Sequence, residues 1–228
     1  MLLAVPLLNP TLLLRRSTSS IFLFWVPLAA QWLMMASEGP FLAAIIARLG
    51  EPRFNLAAYG VAFAIAILIE SPVIMLMSAS TALVEDRAAY RKLRNFMYGL
   101  NALSTGLLVL VLVPPVYRLL TDTLLRLPEE VASLTYGALW ILLPWPAAIG
   151  YRRFLHGLLI RSGRTRLVAL GTLVRLGAMS ATAVISYVFF NLPGAWVGAA
   201  SLSIAVCVEA CVARLMTKNT IREIVAHE

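Results

Sequence analysis

The stretch Gly137–Arg166, GALWILLPWPAAIGYRRFLHGLLIRSGRTR, decides how the rest of the chain is read. It opens on an apolar run, meets Pro144 and Pro146, leaves the apolar region at Tyr151-Arg152-Arg153, and ends in the basic turn Gly163-Arg164-Thr165-Arg166. A proline inside a helix removes a backbone donor and crowds the preceding turn, so a bend is expected at Pro144–Pro146. An apolar helix that bends midway and ends in a basic, glycine-broken turn reads as a membrane helix, with the other apolar runs packed around it.

Composition supports that reading. Hydrophobic residues make up 61% of the chain, charged residues 13%, and the mean hydropathy is +0.85. A soluble domain lies nearer half apolar and about a quarter charged. Several runs reach the roughly 20 residues that a bilayer crossing needs. Lipid offers no partner to backbone polar groups, so such spans are helices or a closed barrel, and runs without strict alternation are helices. The net charge of +8 sits at helix ends, which argues for a membrane and against a nucleic-acid partner. Cys207 and Cys211, four apart on one helix and far from other ligand types, read as small buried residues.

In chain order, six spans are expected: Ser20–Ala47 with Pro27 and Pro40, Leu56–Leu83 with Pro72, Phe96–Leu120 ending near Pro114-Pro115, the opening stretch from Val131, Leu167–Phe190, and Ala195–Leu215. The expected organisation is an amino-terminal interfacial segment over 1–19, a six-helix transmembrane bundle over 20–216 and a polar tail over 217–228. Residues 1–19 make a poor secretory signal, because their charges follow the apolar run and two prolines interrupt it. An overlong start is the other reading of that segment. Six spans put both termini on one side. Fourteen Lys and Arg fall near span ends on that side and four on the other, with Arg175 inside a span. The positive-inside rule makes the fourteen-residue side cytoplasmic. An inner-membrane, multi-pass protein with both termini in the cytoplasm is expected.

Ionisable residues inside spans are costly and point to function. Glu38 and Glu70 fall deep in their helices, where a carboxyl group that gains and loses a proton can couple an ion gradient to a conformational change. A hydrogen-bonded structural glutamate beside a proline kink is the alternative for each. Gln31 shares a face with Glu38, and Tyr98 and Asn101 share a polar stripe on the third helix with Arg94 and Thr105. Gln31, Tyr98, Asn101 and Arg175 are the candidates for lining a cavity. Interhelical hydrogen bonding is the alternative for Tyr98 and Asn101, and a structural ion pair with Glu209 is the favoured one for Arg175. Arg152, Arg153, Arg161, Arg164 and Arg166, with His156 among them, read as a basic face along the cytoplasmic surface that contacts lipid headgroups or draws in an anion. The glycines and alanines of Gly194–Val206 allow close helix packing and offer one candidate dimer contact. No metal-ligand cluster, phosphate loop or nucleophile–base pair stands out, so neither an enzyme nor a metal or cofactor is expected.

The charged turn Glu85–Arg94, and Phe154, Gly157, Gly163, Thr165 and Arg166 at the exit of the fourth helix, resemble one repeat of the multidrug/oligosaccharidyl-lipid/polysaccharide exporter superfamily, which includes the MATE transporters and lipid flippases. Val26–Pro40 also resembles the first helix of its progressive-ankylosis branch. The resemblance implies two six-helix bundles about a central cavity, and this chain holds one. It implies a homodimer, half of a longer gene, or a pair with a second six-helix half. It implies a secondary transporter exporting a small amphipathic or anionic organic substrate by alternating access, coupled to protons or cations. A lipid-linked substrate flippase, which needs a strongly cationic cavity, and a non-transporting partner subunit are the alternatives.

Overall fold

The computed structural model describes residues 18–226, and the regular elements within them are all helices. The expected interfacial segment over 1–19 lies almost wholly outside them. The first helix, α1 (Thr18–Ile46), is 29 residues long and carries Pro27 and Pro40. At a rise of ~1.5 Å per residue it exceeds a ~30 Å hydrocarbon layer, so it must tilt to fit. After a short turn, α2 (Pro52–Ile74) starts on a proline, whose fixed φ suits a first turn. Its Asn55 donates to the Gly50 carbonyl at 2.8 Å and accepts from the Ala195 backbone N–H at 2.9 Å, pinning this turn to a distant helix start. One turn residue, Met75, separates α2 from α3 (Leu76–Leu83).

The next helix, α4 (Arg87–Leu112), begins nine residues before its expected start at Phe96. The charged run after Glu85 is helical and not a loop. Asp86 stops the helix from fraying: its carboxylate accepts the Ala89 backbone N–H at 2.7 Å, satisfying one of the free donors of the first turn. Pro114-Pro115 does end the regular part. Val113 is extended, and α5 (Pro114–Arg118) restarts and passes into a π-helical turn over Leu119–Leu124. The Tyr117 hydroxyl donates to the Ala132 carbonyl at 2.5 Å and so fastens this end of the bundle.

The opening stretch forms α6 (Glu129–Ile141) and α7 (Trp145–Arg161), bent by 44° at Leu142–Pro144. This is the bend that Pro144 and Pro146 demand. It is followed by α8 (Thr165–Phe189) and α9 (Gly194–Ala226). At 33 residues α9 is ~50 Å long and continues through the segment expected to be a tail. Among the described residues, five helices are long and apolar enough to cross a membrane, and six if the bent pair counts as one span.

The centre of the bundle is α9, the most buried of these helices. A Cβ on Gly198 would stand 2.8 Å from Ile46 and 2.9 Å from Tyr59, and one on Gly137 would stand 2.5 Å from Trp196. Ala195, Ala199 and Ala205 are fully buried. The small-residue stripe offered as one candidate dimer contact is therefore spent inside the bundle, where Gly194 and Gly198 let α1 and α2 approach α9, while Gly137 of α6 receives the Trp196 ring. The cysteines on the same helix are less enclosed than expected: Cys207 is half-buried and Cys211 exposed, both as free thiols.

The bent pair runs from one end of the bundle to the other. Near its start, the Leu134 carbonyl accepts from the Trp196 indole N–H at 3.1 Å, close to the beginning of α9. At its far end Arg161 donates to the Thr81 carbonyl at 3.1 Å, at the end of α3. Just beyond, Arg164 reaches Thr220 at 2.6 Å and Glu223 at 2.7 Å, near the end of α9.

Candidate functional site

Two glycines press α7 into the bundle. A Cβ on Gly150 would lie 1.8 Å from Asn101 Oδ1, and one on Gly157 would lie 1.8 Å from Ser80 Oγ and 2.5 Å from the Met77 carbonyl. Only hydrogen fits at both places, so the Asn101 side chain of α4 packs directly on the α7 backbone at Gly150, and α7 meets the α3 backbone at Gly157. The residues between those glycines are carried inward with them. Arg152 is 0% exposed, Arg153 4% and His156 1%.

That placement corrects the basic face. Arg152 and Arg153 are not on a cytoplasmic surface; they lie in the interior. The Tyr-Arg-Arg run looks like the exit of a helix that began near Val131. In fact the helix restarts at Trp145, so Arg152 is only seven residues into α7 and the helix continues to Arg161. The spacing of Gly150 and Gly157, seven apart on one face, is the signal in the sequence that this segment packs closely. Arg161, Arg164 and Arg166 do sit at the bundle end, where Arg161 also stands 3.7 Å from Glu85 and Arg166 is exposed.

Around α7 gather the charges of four other helices. Arg152 Nη1 donates to Glu209 Oε2 at 2.8 Å, with both side chains fully buried. Arg175 of α8 pairs with Glu38 of α1 and also lies 3.8 Å from Glu209. Thr172 Oγ1 reaches the other Glu209 oxygen at 3.4 Å, and His156 Nε2 is 3.8 Å from it. Glu209 is thus the hub of the cluster. The expected Arg175–Glu209 contact is present but is the looser of two, because Arg152, placed at the surface from sequence, takes the near oxygen.

Glu70 of α2 and Arg153 of α7 are built differently. Each is about 95% buried or more, and neither makes an ion pair among the described residues. The Arg153 guanidinium lies 5.7 Å from the centre of the Trp32 ring, and its Nη1 is 3.8 Å from Met77 Sδ. Glu70 Oε2 and Arg153 Nε have no hydrogen-bond partner. Removing a charge from water without pairing it costs several kcal/mol. Neither group recovers that cost through an ion pair, and Arg153 recovers part of it on the Trp32 ring and the Met77 sulfur.

Both line one cavity of about 240 Å³ between α1, α2, α7 and α8, together with Glu38, Arg152 and Arg175. Its walls are aromatic: Trp32, Tyr59, Phe63 and Trp145. Three arginines face two lining glutamates, and Glu209 stands directly behind as the third carboxylate. Counting ~1.5 Å per residue, Glu70 lies ~20 Å from the end of α3 and Glu209 ~22 Å from the start of α9, so the cluster sits near mid-depth.

Of the other expected cavity residues, Gln31 is buried but outside this lining. Tyr98 is 53% exposed and faces outward. Asn101 is buried, and its side-chain amide donates to the Ala147 carbonyl at 3.1 Å, tying α4 to α7. The polar stripe of α4 splits accordingly: the buried face runs through Met97, Asn101, Ser104 and Leu108, and Tyr98 falls off it.

Among known proteins, no family model, no curated protein and no solved structure matches this chain.

Proposed function

We propose that this chain is a membrane transport protein whose substrate and coupling site is the buried charged cavity. One observation carries the reading: Glu70 and Arg153 are held unpaired near mid-depth, in a space large enough for a small polar group. Intramembrane charges are rare and, where they occur, line substrate or ion pathways. A protein that needed them only for packing gains more from apolar side chains of the same volume. In this reading Glu70 exchanges the coupling ion, a proton or another cation, and Glu38 is held in its pair with Arg175. Arg153 attracts the anionic part of a small amphipathic organic substrate. Pro27, Pro40, Pro72 and the Leu142–Pro144 break supply the bending points for alternating access.

The likeness of single segments to the MATE-like exporters supports the same direction, as does a bundle of five or six crossings. The flippase alternative asks for a strongly cationic cavity. Here three carboxylates balance three arginines, which favours the secondary transporter. We further propose that the chain works as a homodimer or with a second six-helix half, with both termini in the cytoplasm. In a lipid nanodisc the homodimer has twice the 24.9 kDa of the single chain, and a single-chain mass there removes it.

The test is flux. Proteoliposomes loaded with a pH dye are given hexanesulfonate or hexylphosphocholine outside; neither carries protons across a bilayer by itself. The expected outcome is a protein-dependent change of internal pH with at least one of them, lost in Glu70→Gln. No protein-dependent change with either contradicts proton-coupled transport.

A further inference from the structure

The cavity holds an uncompensated cation and an uncompensated anion at once. Arg153 and Glu70 both line it, both are buried, and neither makes an ion pair among the described residues. The other charges each face an opposite charge, Glu38 facing Arg175, and Glu209 facing Arg152 with Arg175 and His156 behind it, although Glu38 Oε1, Arg152 Nη2 and Arg175 Nε also lack a hydrogen-bond partner. A simple anion would satisfy Arg153 and leave Glu70 facing it as a like charge. A simple cation would satisfy Glu70 and meet Arg153. A molecule carrying both charges leaves neither bare. The wall adds a second preference, since Tyr59, Phe63 and Trp145 give an ammonium group aromatic faces to rest on.

Size and opening narrow the class further. At about 240 Å³ the cavity is smaller than the roughly 300–1,000 Å³ of a site for a whole drug-sized ligand. It fits a headgroup. The rim residues Trp32 and Ile67 are 55% and 39% exposed, so the space opens sideways between α1 and α2. Trp32 is fourteen residues into α1 and Ile67 fifteen into α2, which puts this mouth near mid-depth, where the surroundings are hydrocarbon.

We propose that the cavity binds the headgroup of a zwitterionic amphiphile: Arg153 takes its phosphate or carboxylate, Glu70 and the aromatic wall take its ammonium, and its apolar chain leaves through the mouth between Trp32 and Ile67. This rests on the cavity being the substrate site of the transporter described above. It adds that the substrate carries both charges.

Binding tests it without requiring transport. The full chain in amphipol is titrated with three probes that share one short tail and stay monomeric: hexylphosphocholine, hexyl phosphate and hexyltrimethylammonium. The zwitterion is expected to bind at least tenfold more tightly than either singly charged probe. Glu70→Gln brings its affinity down to about that of hexyl phosphate, and Arg153→Gln to about that of hexyltrimethylammonium. The comparison of probes on the unaltered protein needs no variant to fold. Hexyl phosphate binding as tightly as the zwitterion overturns the assignment and leaves an anion site for the transporter. Binding of none of the three overturns it as well, and the transport reading is then judged by flux alone. A preference for the zwitterion that survives both substitutions also overturns it.

Discussion

Glu209 and Glu70 are both glutamates near the middle of apolar helices, and both are almost inaccessible, yet their surroundings are opposite. Glu209 accepts from Arg152 and Thr172 and has Arg175 and His156 within 3.8 Å. Glu70 has no partner on Oε2 and faces a cavity. The same contrast separates Arg152, fully buried against a carboxylate, from Arg153, which rests on a tryptophan ring and a methionine sulfur. Burial alone therefore does not mark a working group in this bundle. The paired charges join α1, α7, α8 and α9, and of the five charged residues that line the cavity Glu70 and Arg153 are the two without an ion pair among the described residues.

If that division is right, the two glutamates must respond differently to loss of charge. The largest effect is expected at the hub. Glu209→Ala leaves Arg152 buried without its counter-ion, at a cost of ~3–5 kcal/mol. Chemical unfolding in mixed micelles reads this directly. A loss below ~1 kcal/mol would mean that Arg152 finds another partner and that Glu209 is no hub. A smaller loss is expected from packing. Gly157→Ala drives a methyl group against the Met77 carbonyl and Ser80, and overpacking of this kind costs ~1–3 kcal/mol. The same substitution at Gly177, where nothing lies within 4 Å, serves as the control and is expected to change stability little. The smallest stability effect is expected at Glu70, where Gln keeps the shape and removes a charge that no neighbour compensates.

The helical membrane class was legible in the sequence because apolar length and backbone hydrogen bonding leave few alternatives. The bend at Leu142–Pro144 was legible because proline chemistry is local. The inward placement of Glu38, Glu70, Asn101 and Arg175 also followed from position within a span. The face of α4 did not, since Tyr98 and Asn101 are three apart and a stripe drawn through both is wide enough for one to face out. Arg152 and Arg153 were misplaced for a similar reason. An arginine pair after an apolar run has the same appearance whether the helix is leaving the membrane or has just restarted. Pairing was the least legible feature. Which carboxylate meets which guanidinium depends on how far α7 sinks between α3 and α4, and two glycines set that depth.

The most direct measurement takes Glu70→Gln and Glu209→Gln side by side, each assayed for unfolding free energy and for proton flux in proteoliposomes. The account predicts that Glu70→Gln loses no more than ~1 kcal/mol of stability relative to the unaltered protein and has lost flux. It predicts that Glu209→Gln is the less stable of the two by a clear margin. A Glu70→Gln protein that keeps its flux, or one that loses as much stability as Glu209→Gln, would contradict the division of this cluster into a structural pair network and a working pair.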